Sequence, residues 1–359
     1  MGIGVEMRNL PLGQIAPLID GALGLIARDD SLQPIRLPWA DMPLHHVTMN
    51  SPMTALSPAG VRLRFRSDSD RIALDVEHEP IALLTPEMPL PPCAYDLVTP
   101  DGRIMRGKPD RDHGPARIEF EGLGRDEKLL EIWLPQGTAV RIRGIAVADG
   151  ARIGPAADDR PHWVTYGSSI THCAWVDGPT DTWPSIVARR LGWRLTCLGF
   201  NGACHLDPLV ARAMARLPAD RFTLKLGINV HNLQTMRERT FLPLVHGFIA
   251  TLRERHPATP ITVISPIFSL GREDSAVTDI PTHFGGVPLA GDLTLNDMRL
   301  RLAEAVELLR ARGDHAIEYL DGRALFGEAD MDLLPDGLHP SPEGYALMGA
   351  RFSKLFSDQ

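Results

Sequence analysis

Two patterns of apolar and polar positions divide the chain. From about residue 36 to 150, apolar residues recur at every second position in short runs, as in Val61-Arg-Leu-Arg-Phe-Arg66, Ile72-Ala-Leu-Asp-Val76, Tyr95-Asp-Leu-Val98, Leu129-Leu-Glu-Ile-Trp-Leu134 and Val140-Arg-Ile-Arg-Gly-Ile-Ala-Val147. Alternation at period two turns one strand face to a core and the other to water, and several such runs with no helix between them predict a β-sandwich. Turn residues at Thr99-Pro-Asp-Gly102 and Pro135-Gln-Gly137 separate the runs. A short leading helix is expected within 12–26.

Beyond about residue 160 the pattern changes. Short apolar runs (163–166, 195–198, 222–226, 261–264, 317–320) alternate with amphipathic stretches of helical period (182–191, 208–216, 241–255, 297–312, 342–356). This alternation predicts a parallel sheet with helices on both faces. The Gly-, Pro- and Asp-rich stretch 149–160 reads as a linker, giving an all-β domain over 1–155 and an α/β domain over 156–359. The segment 269–296, which includes His283 and Phe284, lacks a clear element and is expected to frame the site as a loop, with contacts in a homo-oligomer left open.

Composition adds exclusions. The 359 residues are 44% hydrophobic and 23% charged, as in ordinary globular proteins. The net charge of 37 − 45 = −8 and the scatter of basic residues argue against a nucleic-acid partner. No apolar run is long enough for a membrane span, and the N-terminus lacks signal-peptide features, so a cytoplasmic location is the default expectation. Cys93, Cys173, Cys197 and Cys204 form no CxxC pair, which disfavours zinc; buried thiols are expected, with a Cys173–Cys204 disulfide open in an oxidising compartment.

Four local features carry chemistry, and all lie in the α/β half. Tyr166-Gly-Ser-Ser-Ile-Thr171 ends its first strand, where a serine hydroxyl is presented at the carboxyl edge of the sheet and free N–H groups of a helix start lie nearby. Alone, this is also the pattern of an N-cap serine. Asp336-Gly-Leu-His339 precedes the last helix, for which Ser341 and Pro342 are the N-cap and first position. At that spacing a carboxylate accepts from the imidazole Nδ1–H and leaves Nε2 as a base for a serine nucleophile. Leu198-Gly-Phe-Asn-Gly202 and Gly227-Ile-Asn229 follow the second and third strands. They offer backbone and side-chain N–H donors for an oxyanion, or simply turns. His172, Trp175 and His205 are candidate substrate contacts, as is Asn232 if it is not a helix cap. His172 is a weaker base candidate than His339, having no acid at fixed short spacing.

Together the four blocks resemble the SGNH, or GDSL, hydrolase superfamily over residues 161–356. Carried across, Ser169 matches the nucleophile, Gly202 the second-block glycine, Asn229 the third-block asparagine, and Asp336-x-x-His339 the final pair. The resemblance implies a three-layer α/β/α, flavodoxin-like fold and a Ser-His-Asp carboxylic ester hydrolase, with Ser169, Gly202 and Asn229 as oxyanion hole and no metal or cofactor. Two positions depart from the family pattern: Ser168 and Val230 stand where aspartates are usual. The Gly-Ser-Ser-Ile-Thr form, with a preceding jelly-roll-like β domain, is similar to a branch that holds carbohydrate acetyl esterases and an acyltransferase of polyketide tailoring. The expected activity is hydrolysis of short-chain, chiefly acetyl, esters of carbohydrates or similar polar alcohols. The alternatives are acyl transfer through the same triad and a non-catalytic carbohydrate-binding protein.

Overall fold

The computed structural model describes residues 6–79, 90–111, 113–278 and 289–357. The chain forms two compact units, Met1–Asp159 with Ala174–Asp181, and Arg160–Cys173 with Thr182–Gln359.

Among the described residues, the first unit is an antiparallel β structure of two six-stranded sheets. One runs in the order Gly24–Arg28, Ser31–Ile35, Val140–Ala148, Arg71–His78, Gly114–Glu121, with Met7–Asn9 also on Val140–Ala148. The other runs Ile153–Pro155, Arg62–Ser67, Lys128–Trp133, Tyr95–Val98, Ile104–Gly107, with Ile19–Asp20 also on Arg62–Ser67. Leu63, Phe65, Leu74, Val76, Leu97, Ile118, Leu130 and Ile132 share one apolar core. In Val140–Ala148 the register shifts between Ile142 and Gly144. The extra residue of this bulge moves the inward phase from Val140 and Ile142 to Ile145 and Val147, all fully buried. On Arg62–Ser67 the alternate face carries two buried charges: Arg62 bonds Asp20, and Arg64 lies 3.3 Å from Asp158 and 3.6 Å from Glu131. Desolvated guanidinium groups persist in such a place because carboxylates surround them.

The expected leading helix is corrected to one turn, Leu12–Ile15. Pro17 follows at once in a 3-10 turn, where it has no N–H to continue the helical ladder, and the chain then enters strands Ile19–Asp20 and Gly24–Arg28. Ala174–Asp181 also belongs to the β unit. Asp96, fully buried, accepts from the Thr180 backbone N–H (3.1 Å) and Oγ1 (2.6 Å), and Arg106 bridges Asp96 and Asp181, each at 2.7 Å.

The described residues of the second unit hold a five-stranded, all-parallel sheet. Its strands in chain order are His162–Gly167, Arg194–Gly199, Arg221–Lys225, Ile261–Ile264 and Ile317–Leu320, and their spatial order is 2-1-3-4-5. That is the flavodoxin-like order, with its switch point at the first strand. Opposite side chains of this strand enter different helical layers. Trp163 stacks on Phe352 of helix Pro342–Phe356, and Tyr166 stacks on Phe248 of helix Glu238–Arg253. Helix Trp183–Leu191 packs with Pro342–Phe356 on one side, while Pro208–Ala215, Glu238–Arg253 and Leu295–Ala311 pack in sequence on the other. The unit is therefore the expected α/β/α sandwich. Within 269–296, Val277–Thr278 pairs with Leu289–Ala290, and His283 and Phe284 lie outside the described residues. Among the described residues no helix is long and apolar enough to cross a membrane.

Candidate active site

The site forms at the carboxyl edge of the parallel sheet. His162–Gly167 runs into the four-residue helix Ser169–His172, with Ser168 as N-cap. Ser168 Oγ accepts from the Ile170 N–H at 3.2 Å. Serine and aspartate are comparable N-caps, so the departure at 168 keeps this bond. The short helix lies directly on the sheet because the strands beneath it end in glycine. A Cβ on Gly167 would collide with the Thr171 side chain, and one on Gly199 with the backbone of Thr171 and His172. Gly167 and Gly199 are cross-strand partners, a pairing visible in the sequence as two strand-terminal glycines. The Trp183 indole N–H donates to the Ile170 carbonyl at 2.9 Å and ties the helix down from the neighbouring helical layer.

Ser169 Oγ lies 2.8 Å from His339 Nε2, and His339 Nδ1 lies 2.6 Å from Asp336 Oδ2. The three residues, 170 positions apart at the extremes, are thus in one hydrogen-bonded line. Asp336 Oδ1 accepts from the backbone N–H groups of Leu338 (2.9 Å) and His339 (2.6 Å), closing an Asx-type turn. Gly337 turns this corner at φ +72°, a conformation that a residue with Cβ adopts only with strain. Partial desolvation pushes the Asp336 carboxyl up, but the His339 imidazole and the two backbone N–H groups outweigh it and hold the group well below the usual carboxylate range. The following helix starts as the sequence indicates, with Ser341 Oγ accepting from Gly344 N–H and Pro342 at its first position.

The two candidate donor blocks follow the second and third strands. Gly202 lies in the turn after Arg194–Gly199, at φ +67°. Asn229 lies on helix Ile228–Leu233, 5% exposed, and its Oδ1 accepts from the Cys204 backbone N–H at 3.0 Å. That bond commits the carbonyl end of the amide and leaves Nδ2 as donor. Val230 is buried in the same helix, where an aspartate would lose hydration.

The remaining candidates separate. His205 Nε2 is 3.1 Å from the Gly202 carbonyl and Nδ1 is 2.9 Å from Thr235 Oγ1, so its ring braces the Gly202 turn. Asn232 is inside Ile228–Leu233, which corrects its reading as a cap; its Oδ1 is 3.4 Å from His231 Nδ1. His172 is fully buried at the end of helix Ser169–His172, so as placed it presents no surface to a substrate. Trp175 lies on the segment that packs within the β unit. All four cysteines are free. Burial pushes the Cys204 thiol up to about 12 and the Cys173 thiol well above its usual value, which makes both poor nucleophiles. The Cys204 backbone contact to Asn229 was not readable from sequence, because a main-chain donor leaves no residue-type signal.

Known proteins resemble this chain in each of its two units. Residues 165–347 match the GDSL-like lipase/acylhydrolase family, and residues 18–142 match the SsfX3 N-terminal domain. The salicylyl-acyltransferase SsfX3 from a tetracycline biosynthetic pathway is 30% identical, with 95% of this chain and 94% of that one covered at a TM-score of 0.81. A protein of Bacteroides ovatus described as a GDSL-like lipase is 20% identical over 98% of both chains, at a TM-score of 0.77. A family two carbohydrate esterase from Cellvibrio japonicus shares the fold at 13% identity over 98% of both chains, with a TM-score of 0.62. No curated protein sequence matches. The extent of the family match, over a three-layer α/β/α unit preceded by two β-sheets, makes this chain a member of the GDSL-like lipase/acylhydrolase family, an esterase-type hydrolase group.

Proposed function

We propose that the protein is a serine esterase that removes short acyl groups, acetyl above all, from carbohydrates or similar polar alcohols. The observation that carries this reading is the line Asp336–His339–Ser169, with 2.6 Å and 2.8 Å between the successive side chains. Ser169 Oγ attacks the ester carbonyl while His339 Nε2 takes its proton, and the carbonyl π pair moves onto oxygen. The Ser169 and Gly202 N–H groups and Asn229 Nδ2 receive that oxyanion. Collapse expels the alcohol, which takes the proton from His339. Water then attacks the acyl-enzyme, gives its proton to His339, and the acid leaves as Ser169 recovers its hydrogen. Asp336 orients the imidazole throughout. The carbohydrate alcohol is drawn from the esterases that share the fold.

A second reading, acyl transfer to an alcohol other than water, is favoured by the 30% identical acyltransferase, whose likeness extends over both units. It uses the same residues and differs in the acceptor admitted to the acyl-enzyme. One experiment tests both. Acetyl, butyryl and octanoyl 4-nitrophenyl esters and acetylated sugars are offered to wild type and Ser169→Ala, with and without an added alcohol. Loss of kcat on the order of 10⁶ in Ser169→Ala is expected. Normal turnover by that variant would end the nucleophile assignment, octanoyl preference would end the polar-ester reading, and acyl product on the added alcohol in preference to water would select transfer.

A further inference from the structure

One peptide unit beside the triad is held at both ends. The N–H of Leu338 donates to Asp336 Oδ1 at 2.9 Å. The carbonyl of the same peptide, Gly337 C=O, accepts from Ser269 Oγ at 2.7 Å and from Arg272 Nη1 at 3.3 Å. Arg272 Nη1 also donates to Ser269 Oγ at 3.1 Å, so the hydroxyl receives from the cation and gives to the carbonyl. Ser269 is fully buried, and its own N–H donates to Glu273 Oε1 at 3.0 Å. Glu273 is fixed in turn by the buried Arg299, with contacts of 2.6 and 2.9 Å. The turn that carries Ser269 and Arg272 therefore has a rigid base rather than a free loop's mobility.

We infer that Ser269 and Arg272 are positioning residues of the acid–base loop, acting on Asp336 and His339 through the Gly337–Leu338 peptide. This inference rests on the triad reading above. Two physical effects favour it. Gly337 sits at φ +72°, and glycine is free to rotate its peptide; pinning the carbonyl removes that freedom and fixes where the Leu338 N–H points. Hydrogen bonds in series also polarise one another in a low dielectric. A cation and a hydroxyl on the carbonyl make the N–H at the far end a better donor to the Asp336 carboxylate. The chain then reads Arg272, Ser269, Gly337–Leu338 peptide, Asp336, His339, Ser169. The charged and titratable groups around it are His339 on Asp336, Arg272 near both Asp336 and His231, Glu273 beside Arg272 and His231, and Tyr345 from the final helix.

The test uses the full chain with 4-nitrophenyl acetate and compares Arg272→Met, Arg272→Lys and Ser269→Ala with wild type, each normalised to the fraction that a serine-directed phosphonate titrates. A fall of about 10- to 100-fold in kcat at nearly constant KM is expected for Arg272→Met, the range seen when a partner that orients a reacting group is removed. Ser269→Ala should fall less, and Arg272→Lys should recover most of the rate, since an ammonium can still donate to the Gly337 carbonyl. Wild-type kcat in both Arg272→Met and Ser269→Ala would overturn the inference. So would a loss confined to KM, which would make Arg272 a substrate contact, or a loss confined to the titratable fraction, which would make it a folding residue. If wild type lacked esterase activity, or Ser169→Ala kept it, the triad reading would fail instead; a dead Ser169→Ala beside a normal Arg272→Met would sink the positioning role alone.

Discussion

The Cys204 backbone N–H donates to Asn229 Oδ1 at 3.0 Å, joining the turn after the second strand to the helix after the third. The bond orients the Asn229 amide before any substrate arrives, and preorganised donors contribute most where charge develops only in the transition state. Asn229→Ala should therefore lower kcat by about 10²- to 10³-fold with little change in KM. Asn229→Asp should be no better, because a carboxylate keeps the acceptor for the Cys204 N–H but offers no N–H of its own and would repel an oxyanion. Steady-state kinetics with 4-nitrophenyl acetate decide it: a loss seen mainly in KM would remove Asn229 from the oxyanion hole.

Asp336 makes three hydrogen bonds to the loop it belongs to, two from backbone and one from His339. Asp336→Asn keeps the shape but offers its amide N–H₂ where Nδ1–H must be accepted, so the imidazole turns or changes tautomer. A loss on the order of 10⁴ in kcat is expected. Because the native carboxyl is held below the usual range, it stays ionised through the weakly acidic region. Activity lost on acidification above about pH 4, the ordinary carboxylate value, will thus not come from Asp336. A pH–rate profile of Asp336→Asn with the same acid limb as wild type would agree; disappearance of that limb would contradict it.

Much of this was legible in the sequence, for identifiable reasons. Strand positions followed from local alternation, and Tyr95–Val98, Ile261–Ile264, Ile317–Leu320 and helix Pro342–Phe356 have the bounds the pattern implies. The candidate catalytic blocks were visible because each requires particular residue types at a strand end or just before a helix. What was not visible depends on distant partners or on main-chain atoms. The helix Ile228–Leu233 is only six residues long, too short for a periodic signal, so the pattern did not place Asn229 on a helix. Strands Ile104–Gly107 and Gly114–Glu121 carry few apolar residues and lie at sheet edges. The placement of Ala174–Asp181 rests on Asp96 and Arg106, some 75 to 84 positions away in the chain. No window around Trp175 encodes that.

Gly199→Ala should displace the nucleophile helix. The added methyl meets the Thr171 and His172 backbone, which cannot rotate aside as a side chain can. Overpacking of this kind costs about 1–3 kcal/mol. The expected result is a lower thermal midpoint together with slow phosphonate labelling of Ser169. Gly192→Ala, at a helix end with open space, is the comparison: it should lose stability through its φ of +66° but label normally.

His78 in the β unit is 1% exposed, with Nε2 2.7 Å from the Tyr95 hydroxyl, and burial pulls its imidazole down to about 4. The folded group is neutral while the unfolded one takes a proton near 6.5. Unfolding therefore binds protons between these values, and the stability contributed is complete above pH 6.5 and lost as pH falls toward 4. The loss across that window is about 3 kcal/mol. Hydrogen exchange of strand Arg71–His78 at pH 7 and pH 5 reads it out. His78→Gln should flatten the difference, and an equally steep acid loss in that variant would locate the titration elsewhere.

Lys225 has the same sense of pH dependence in a more alkaline window. It ends the third strand beside Gly167, is 1% exposed, and its Nζ finds no hydrogen-bond partner among the described residues; nor does the neighbouring Thr171 Oγ1. Desolvation pulls the amine down to about 8 from 10.5. Below pH 8 both states are protonated, and the folded state bears the full cost of a buried cation, about 3 kcal/mol. Between 8 and 10.5 the unfolded chain holds the extra proton, so this group's cost falls and stability rises with pH. Lys225→Met keeps the length of the side chain and removes the charge, and it should stabilise the α/β unit by about 3 kcal/mol at pH 7. The gain should shrink toward pH 10. Hydrogen exchange of Arg221–Lys225 in the two proteins at both pH values makes the comparison. A variant less stable at pH 7, or a gain independent of pH, would mean that the ammonium is compensated in its site.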